Sequence, residues 1–230
     1  MADEVILDNI PFQINLPSLM RRLHIKDSSQ QAQELQHLAQ EAQAVARPKV
    51  VYKEAYVEAR GDDYVVIDNK ILKSRVLRVN LEGVQRVFPY IATCGIELDG
   101  WPSGVDDLLL LFWGNIIKEI ALEAAEQALE EHLEENYALE LTATMNPGSL
   151  EDWPLSEQRP LFDLLGNPQV SIGVRLTESF LMVPLKSLSG IRFPSEEGFE
   201  SCQLCRRENC PGRGAAYDKE LYERKYGLKV

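Results

Sequence analysis

Residues 173–193 read GVRLTESFLMVPLKSLSGIRF. The stretch starts as an extended segment whose side chains alternate. Leu176, Glu178 and Phe180 point one way, and Thr177, Ser179 and Leu181 the other. Pro184 lacks an N–H and ends any ladder that needs one. Ser187, Ser189 and Gly190 are small, the composition of a loop that lets a ligand approach the backbone. Arg192 and Phe193 then add a charge and a flat ring. Elementary physics reads a strand, a turn and a ligand loop. Glu178, facing the same side as Leu176 and Phe180, reads either as a buried, hydrogen-bonded carboxylate of functional type or as an edge-strand surface residue.

The chain has 230 residues, 45% of them hydrophobic, enough core for one large or two small domains. Acidic residues outnumber basic ones by 36 to 24, giving a net charge of −12. That balance argues against nucleic acid or an anionic membrane as partner, since both require a basic face. No run approaches the roughly 18 apolar residues of a membrane span. The N-terminal MADEVILDNI lacks a basic segment followed by an apolar one, so no signal peptide and a cytoplasmic location are expected. In that compartment four cysteines are thiols or metal ligands rather than disulfides.

Outward from the opening stretch, the pattern is mixed. A short strand or arm precedes a small helix that begins near Pro17, with Leu19, Leu23 and His24 inside it. Ser28 or Ser29 caps a second helix that runs to about Ala46 before Pro48, with Leu35, Leu38, Ala42 and Val45 as its apolar stripe. Strands are expected at Val50–Val57, Tyr64–Ile67, Ile71–Val79 and Val84–Ala92, with a hairpin turn at Asp68-Asn69-Lys70. A glycine-rich loop, residues 93–104, leads to a helix opened by Asp106 or Asp107 and reaching Tyr137. Its stripe of Leu110, Trp113, Ile117, Ala121, Ala124 and Ala128 places an aromatic end on the sheet and an alanine end where another element comes close. Residues 138–144 alternate as a strand. Asn146-Pro147-Gly148 is a turn with open backbone, and a short helix capped by Ser156 ends at Gly166. Trp153, Leu161, Phe162 and Leu165 cover the core, and Lys219–Tyr226 forms a last charged helix.

Two constellations carry chemistry. The first joins the Asn146-Pro147-Gly148 backbone to the cation and ring of Arg192 and Phe193. The second is Cys202-x2-Cys205-x4-Cys210-Pro211. A C-x2-C step puts two thiolates on one turn, as in zinc or iron–sulfur knuckles, and the third cysteine closes three corners. Cys94, solvent or a partner would supply a fourth ligand; free thiols and a redox pair are the alternatives. No serine–histidine–acid set and no phosphate-cradling glycine loop is present, and His24, His37 and His132 fall on helix surfaces.

The run LTESFxMxPxxSxSGxxF, residues 176–193, resembles the end of the S-adenosylmethionine-binding activation domain of cobalamin-dependent methionine synthase. Residues 153–158, WPLSEQ, resemble the version in stand-alone bacterial relatives. The likeness extends over roughly residues 80–195. It implies that Asn146, Pro147, Gly148, Glu178, Ser189, Gly190, Arg192 and Phe193 contribute to a cofactor site. Arg192 and Phe193 fall on the family's ligand-contacting pair. Asp8, in DNIPF, resembles its N-terminal acidic contact. Thr144 and Ser149 stand where the family has a loop arginine and tyrosine, and Arg192 replaces a tyrosine. Either Arg192 supplies the missing cation or the ligand is no longer bound.

The expected fold is α+β: a twisted, largely antiparallel sheet packed by a long helix, with N-terminal helices and a cysteine-bearing tail. The expected divisions are residues 1–75, an activation-like core at 76–195 and a tail at 196–230. What the resemblance implies is reductive methylation of a corrinoid methyltransferase. S-adenosylmethionine would lie over cobalamin held by a partner protein, with an external electron donor and an iron–sulfur or zinc centre at Cys202, Cys205 and Cys210. The alternative is a binding module of this fold that docks on a corrinoid protein and carries a structural metal.

Overall fold

The computed structural model describes residues 3–227 apart from 28, 105, 140, 196–198, 200, 208, 211 and 212. Ser28 as a cap and Pro211 of the cysteine motif therefore lie outside the described residues. The chain begins with β1 (Val5–Leu7), α1 (Leu16–Arg22) and α2 (Gln30–Val45). Both helices start on side-chain caps: Asn15 accepts from Ser18 N, and Ser29 from Ala32 N. Strands β2 (Lys49–Tyr52) and β3 (Ala55–Arg60) divide the expected Val50–Val57 segment, and β4 (Tyr64–Ile67) and β5 (Lys70–Lys73) form a hairpin. Asp68 and Asn69 both adopt left-handed backbone, φ 44° and 63°, as a two-residue hairpin loop requires. Lys70 already belongs to the strand.

The expected strand Ile71–Val79 breaks at Ser74, after which α3 (Arg75–Asn80) begins. Ser74 Oγ accepts from Leu77 N at 2.9 Å, and Asp152, far along the chain, accepts from Val76 N at 2.8 Å. Two oxygens on the free N–H groups of a first turn outweigh the β-prone run of valines and leucine. Then come β6 (Arg86–Thr93), α4 (Leu108–Tyr137), β7 (Thr142–Met145), α5 (Gln158–Leu164), α6 (Pro168–Ile172), β8 (Arg175–Leu176), β9 (Met182–Val183), β10 (Ser187–Pro194) and α7 (Lys219–Tyr226).

Eight strands form one antiparallel sheet centred on β6. One flank of β6 carries β10 and then β7. The other carries β2 on one half and β3 on the other half, with β1 beyond β2 and the β4–β5 hairpin beyond β3. Pro89 sits in this central strand without a broken ladder. Its carbonyl accepts from Lys53 N at 3.1 Å, so its backbone edge faces the β2–β3 flank. There the β2 pairing stops at Tyr52 opposite Tyr90, and the β3 pairing starts at Ala55 opposite Val87. The missing N–H falls in the seam between two neighbours.

Helix α4 covers one face of the sheet and α3, α5 and α7 the other. Asp107 caps α4 by accepting from Leu109 N. Its buried positions are Trp113, Ile117, Ala121, Ala125, Leu129 and Leu133, together with Gly114. A four-residue step overshoots a full turn by about 40°, so the buried stripe winds around the helix. Trp113 and Ile117 meet Leu19, Leu35 and Leu38 of the N-terminal helices. Ala125, Leu129 and Leu133 meet Val50, Tyr52, Phe88 and Tyr90 of the sheet. The sequence expectation is thus reversed: the aromatic end packs on helices and the small-residue end on the sheet. The sheet supplies its own aromatic volume, so the helix needs small side chains there. Among the described residues no helix is long and apolar enough to cross a membrane.

Ala125 is fully buried against Tyr90 and its neighbours. Ala125→Leu should lower stability by about 1–3 kcal/mol through overpacking. Urea unfolding would show a reduced midpoint with an unchanged slope.

Candidate ligand-binding cleft at the open edge of the sheet

Among the described residues β7 pairs only with β10, so its other edge is open. The register sets Thr142 opposite Pro194 and Thr144 opposite Arg192, and Ser195 N donates to Leu141 O at 3.2 Å. In an antiparallel ladder the hydrogen-bonded positions alternate. Leu141, Ala143 and Met145 therefore direct their backbone groups at β10, while Thr142 and Thr144 direct theirs to the open edge. A cleft of about 760 Å³ lies along that edge. Glu126 and Glu130 of α4 form one wall. Asn146, Gly148 and Ser149 form the end. Residues of the segment after β10, from Phe199 to Cys210, form the outer wall.

Arg192 stands in the floor, only 8% exposed. Its Nη1 reaches Glu130 Oε1 and Thr142 Oγ1, both at 3.4 Å. Its Nε has no partner among the described residues. Glu126, one helical turn before Glu130, is shielded from water, and burial pushes its carboxyl above the usual range while the Arg192 charge draws it back. The cleft thus holds a buried cation whose donors are incompletely used, facing two carboxylates.

Asn146 fixes the turn at the end of the cleft. Its Nδ2 donates to Tyr90 Oη at 3.1 Å and to Ser189 O at 3.0 Å. Gly190 makes this possible, since a Cβ there would stand 2.5 Å from Asn146 Nδ2 and 2.7 Å from Met145 O. Gly148 takes φ 86° and donates its N–H to Trp153 O at 2.7 Å, closing the turn.

Of the residues singled out from sequence, Asn146, Gly148, Arg192, Cys202, Cys205 and Cys210 line this one cleft. Pro147 is buried in the turn. Ser189 and Gly190 belong to β10 rather than to a loop, and they position Asn146 from behind. Phe193 points to the opposite face, buried with Val87, Ile191 and Leu161 in the core, because it is one residue out of phase with Arg192. Glu178 is exposed at the tip of the β8–β9 hairpin. The chain reverses there, with Thr177 N donating to Leu181 O and Phe180 at φ 62°, so the alternation that predicts a buried carboxylate does not run through. Among the described residues no group of three His, Cys, Asp or Glu side chains is placed to hold a metal ion. Cys94 is buried beside Leu98 and Ala121, away from the other cysteines.

Sequence reading did not mark Glu126 or Glu130 as site residues. Their four-residue spacing on a long helix, about 100° round from the buried Ala125 and Leu129, was the available signal. Thr142 and Arg207 carried no local signal.

No family model matches the chain, and no curated protein matches it. Among solved structures it is similar to the crystal structure of the MetH reactivation domain bound to AdoHcy. The TM-score is 0.64, over 99% of this chain and 86% of that one, with 17% identity. The two share a fold. At that identity the likeness concerns architecture, and the residues of the cleft have to be read from their own geometry.

Gly190→Ala should cost about 1–3 kcal/mol, because both colliding atoms belong to the clamp between β7 and β10. A thermal melt would show the loss, and proton exchange at Asn146 would show the opened turn.

Proposed function

We propose that the β7-edge cleft binds S-adenosylmethionine, and that the chain serves in reactivating a corrinoid-dependent methyltransferase. The carrying observation is the buried Arg192 set across from Glu126 and Glu130 beside an unpaired strand edge. S-adenosylmethionine is a zwitterion with a sulfonium and a flat purine. Arg192 would take its carboxylate in a charge-assisted hydrogen bond from its guanidinium. Glu126 and Glu130 would face its ammonium or sulfonium. The outward backbone groups of Thr142 and Thr144 would pair with the purine edge as a further strand does. The shared architecture with a reactivation domain bound to AdoHcy supports the same ligand class here.

In this reading the chain's residues bind and orient and perform no bond chemistry. Cobalamin would be carried by a partner protein and would accept the methyl group after one-electron reduction by an external donor. The acidic surface, −12 overall, suits docking on a basic or conjugated-ring face. One observation favours the runner-up, a docking module that binds no S-adenosylmethionine. Arg192 already engages Glu130 and Thr142, so the cleft partly satisfies itself.

Calorimetry with S-adenosylmethionine and AdoHcy separates the two. Micromolar saturable binding is expected, weakened roughly 10- to 100-fold in Arg192→Ala, the loss of one hydrogen bond to a charged group. A folded sample that gives no heat with either ligand sinks the proposal.

The pH dependence follows from Glu126. Its carboxyl is raised in the free protein, and a bound cation favours the ionised form. Affinity should therefore fall as pH drops, beginning above the ordinary carboxylate range. Glu126→Gln should bind more weakly at neutral pH and lose that dependence, read by calorimetry across a pH series.

A further inference from the structure

The outer wall of the cleft carries a second set of chemical groups. Cys202, Cys205 and Cys210 all open onto it, and none is in a disulfide. The backbone that bears them is already folded. Cys205 N donates to Cys202 O at 3.2 Å, closing a tight turn over the C-x2-C step. Arg213 N donates to Cys210 O at 3.2 Å, closing a second. The Arg213 guanidinium gathers both turns, donating to the carbonyls of Cys202 at 3.2 Å, Cys205 at 3.1 Å and Ala215 at 3.1 Å, and to that of Arg207.

The sulfurs have little structural employment. Leu204, inside the first turn, is a deeply buried apolar anchor of the wall, and Cys205 packs partly against the same core. Cys202 Sγ instead accepts from Gly214 N at 3.4 Å. Backbone donation to sulfur stabilises a thiolate and is the outer-shell support that metal thiolates use. A fourth thiol is out of reach, since Cys94 is sealed under Leu98 and Ala121. No histidine lines the cleft.

We propose that Cys202, Cys205 and Cys210 bind one thiophilic metal centre through three thiolates, with its remaining position open to the ligand cleft. The three sulfurs do not yet stand at coordinating positions. Loading draws the Cys210 turn toward the Cys202–Cys205 pair, and the thiol protons leave to solvent. The open position faces Glu126, Glu130 and any amino-acid end held at Arg192, so an incoming carboxylate or amine completes the shell. A zinc ion and an iron–sulfur cluster share this donor chemistry. Only the identity of the completing ligand rests on the function proposed above.

The test uses the full chain purified without oxygen, with metal and sulfide analysis and X-ray absorption. About one centre per chain is expected: a single zinc ion has a first shell of three sulfurs and a lighter atom, with Zn–S near about 2.3 Å, and a cluster has bridging sulfide in addition to the three cysteine sulfurs. Sulfide with absorption near roughly 400 nm marks a cluster, and a colourless zinc-bearing sample the single ion. Cys202→Ser, Cys205→Ser and Cys210→Ser should each lose the metal, and Cys94→Ser should keep it. Should a variant misfold, thiol alkylation of the folded wild-type decides: Cys202, Cys205 and Cys210 react without metal and are protected with it, while buried Cys94 reacts in neither state. A chain that takes up neither zinc nor iron overturns the proposal, as does metal retained by Cys210→Ser or a four-sulfur shell around a single zinc ion. AdoHcy should perturb the lighter-atom shell. Binding seen by calorimetry without that perturbation refutes the open position. No AdoHcy binding together with a three-sulfur shell refutes the ligand reading and leaves the metal site standing.

Discussion

The cleft depends on β10 pairing with two strands at once. On one side it meets β6 and on the other β7, and its registers with both must agree. A slip of one residue would turn Arg192 into the apolar cluster of Val87 and Leu161 and bring Phe193 out under the glutamates of α4. What blocks the slip is a steric fit. Gly190 lies opposite Tyr90, and the space of its missing side chain is filled by Asn146. A residue with a Cβ at that level meets Asn146 Nδ2, Met145 O and the Tyr90 ring together. One glycine thus sets which face of β10 carries charge, and hence where the cleft's cation stands.

That cation is under-compensated. Burying a guanidinium costs several kcal/mol unless its donors are met. Here the ion pair to Glu130 is weak, because the glutamate side is 63% exposed and water screens it. Glu126 is better shielded but holds its charge at a cost, as the upward displacement of its carboxyl records. The two groups stabilise one another incompletely, and Arg192 Nε is left idle. A zwitterion offers each what it lacks, a carboxylate for the arginine and a cation for the glutamate. A neutral or purely anionic ligand would satisfy one and worsen the other. The charge pattern that the proposed zwitterion would meet is therefore set by Arg192, Glu126 and Glu130 themselves.

The sequence made the elements legible where local chemistry decides. Asp107, Ser29 and Asp68-Asn69 each act through atoms within a few residues, and the helix, cap and hairpin stand where the pattern puts them. It misled where a distant partner decides. Arg75–Asn80 is helical because Asp152 reaches its first turn. Alanines, rather than Trp113, face the sheet, because the sheet's own tyrosines and phenylalanine take the volume. The site was half legible for the same reason. Asn146, Gly148 and Arg192 were legible as one constellation and the cysteines as another, but not the meeting of the two in one cleft. That meeting depends on which edge of β7 is free, a fact of topology. Of the two readings of Glu178 the exposed one holds, because alternation over a few residues cannot reveal a tight reversal within them.

The two long walls of the cleft are anchored differently. The inner wall belongs to α4 and the sheet, held by the apolar contacts of Ala125, Leu129 and Leu133. The outer wall leads into α7, whose anchorage lies elsewhere. Tyr226 Oη donates to Asn80 at 2.9 Å, Arg75 Nε donates to Tyr226 O at 3.1 Å, and Phe199 meets the Tyr226 ring edge-on. Those partners sit on α3, which is itself seated by Asp152 from the segment beyond β7. Phe199, Leu204 and Tyr226 also share one apolar core with Ile191 and Phe193 of β10, so the outer wall is tied through the sheet to the strand that carries Arg192. On the proposals above, a metal at the cysteines and a ligand at Arg192 would share one cleft, and any effect of one on the other's affinity would by linkage act equally in both directions.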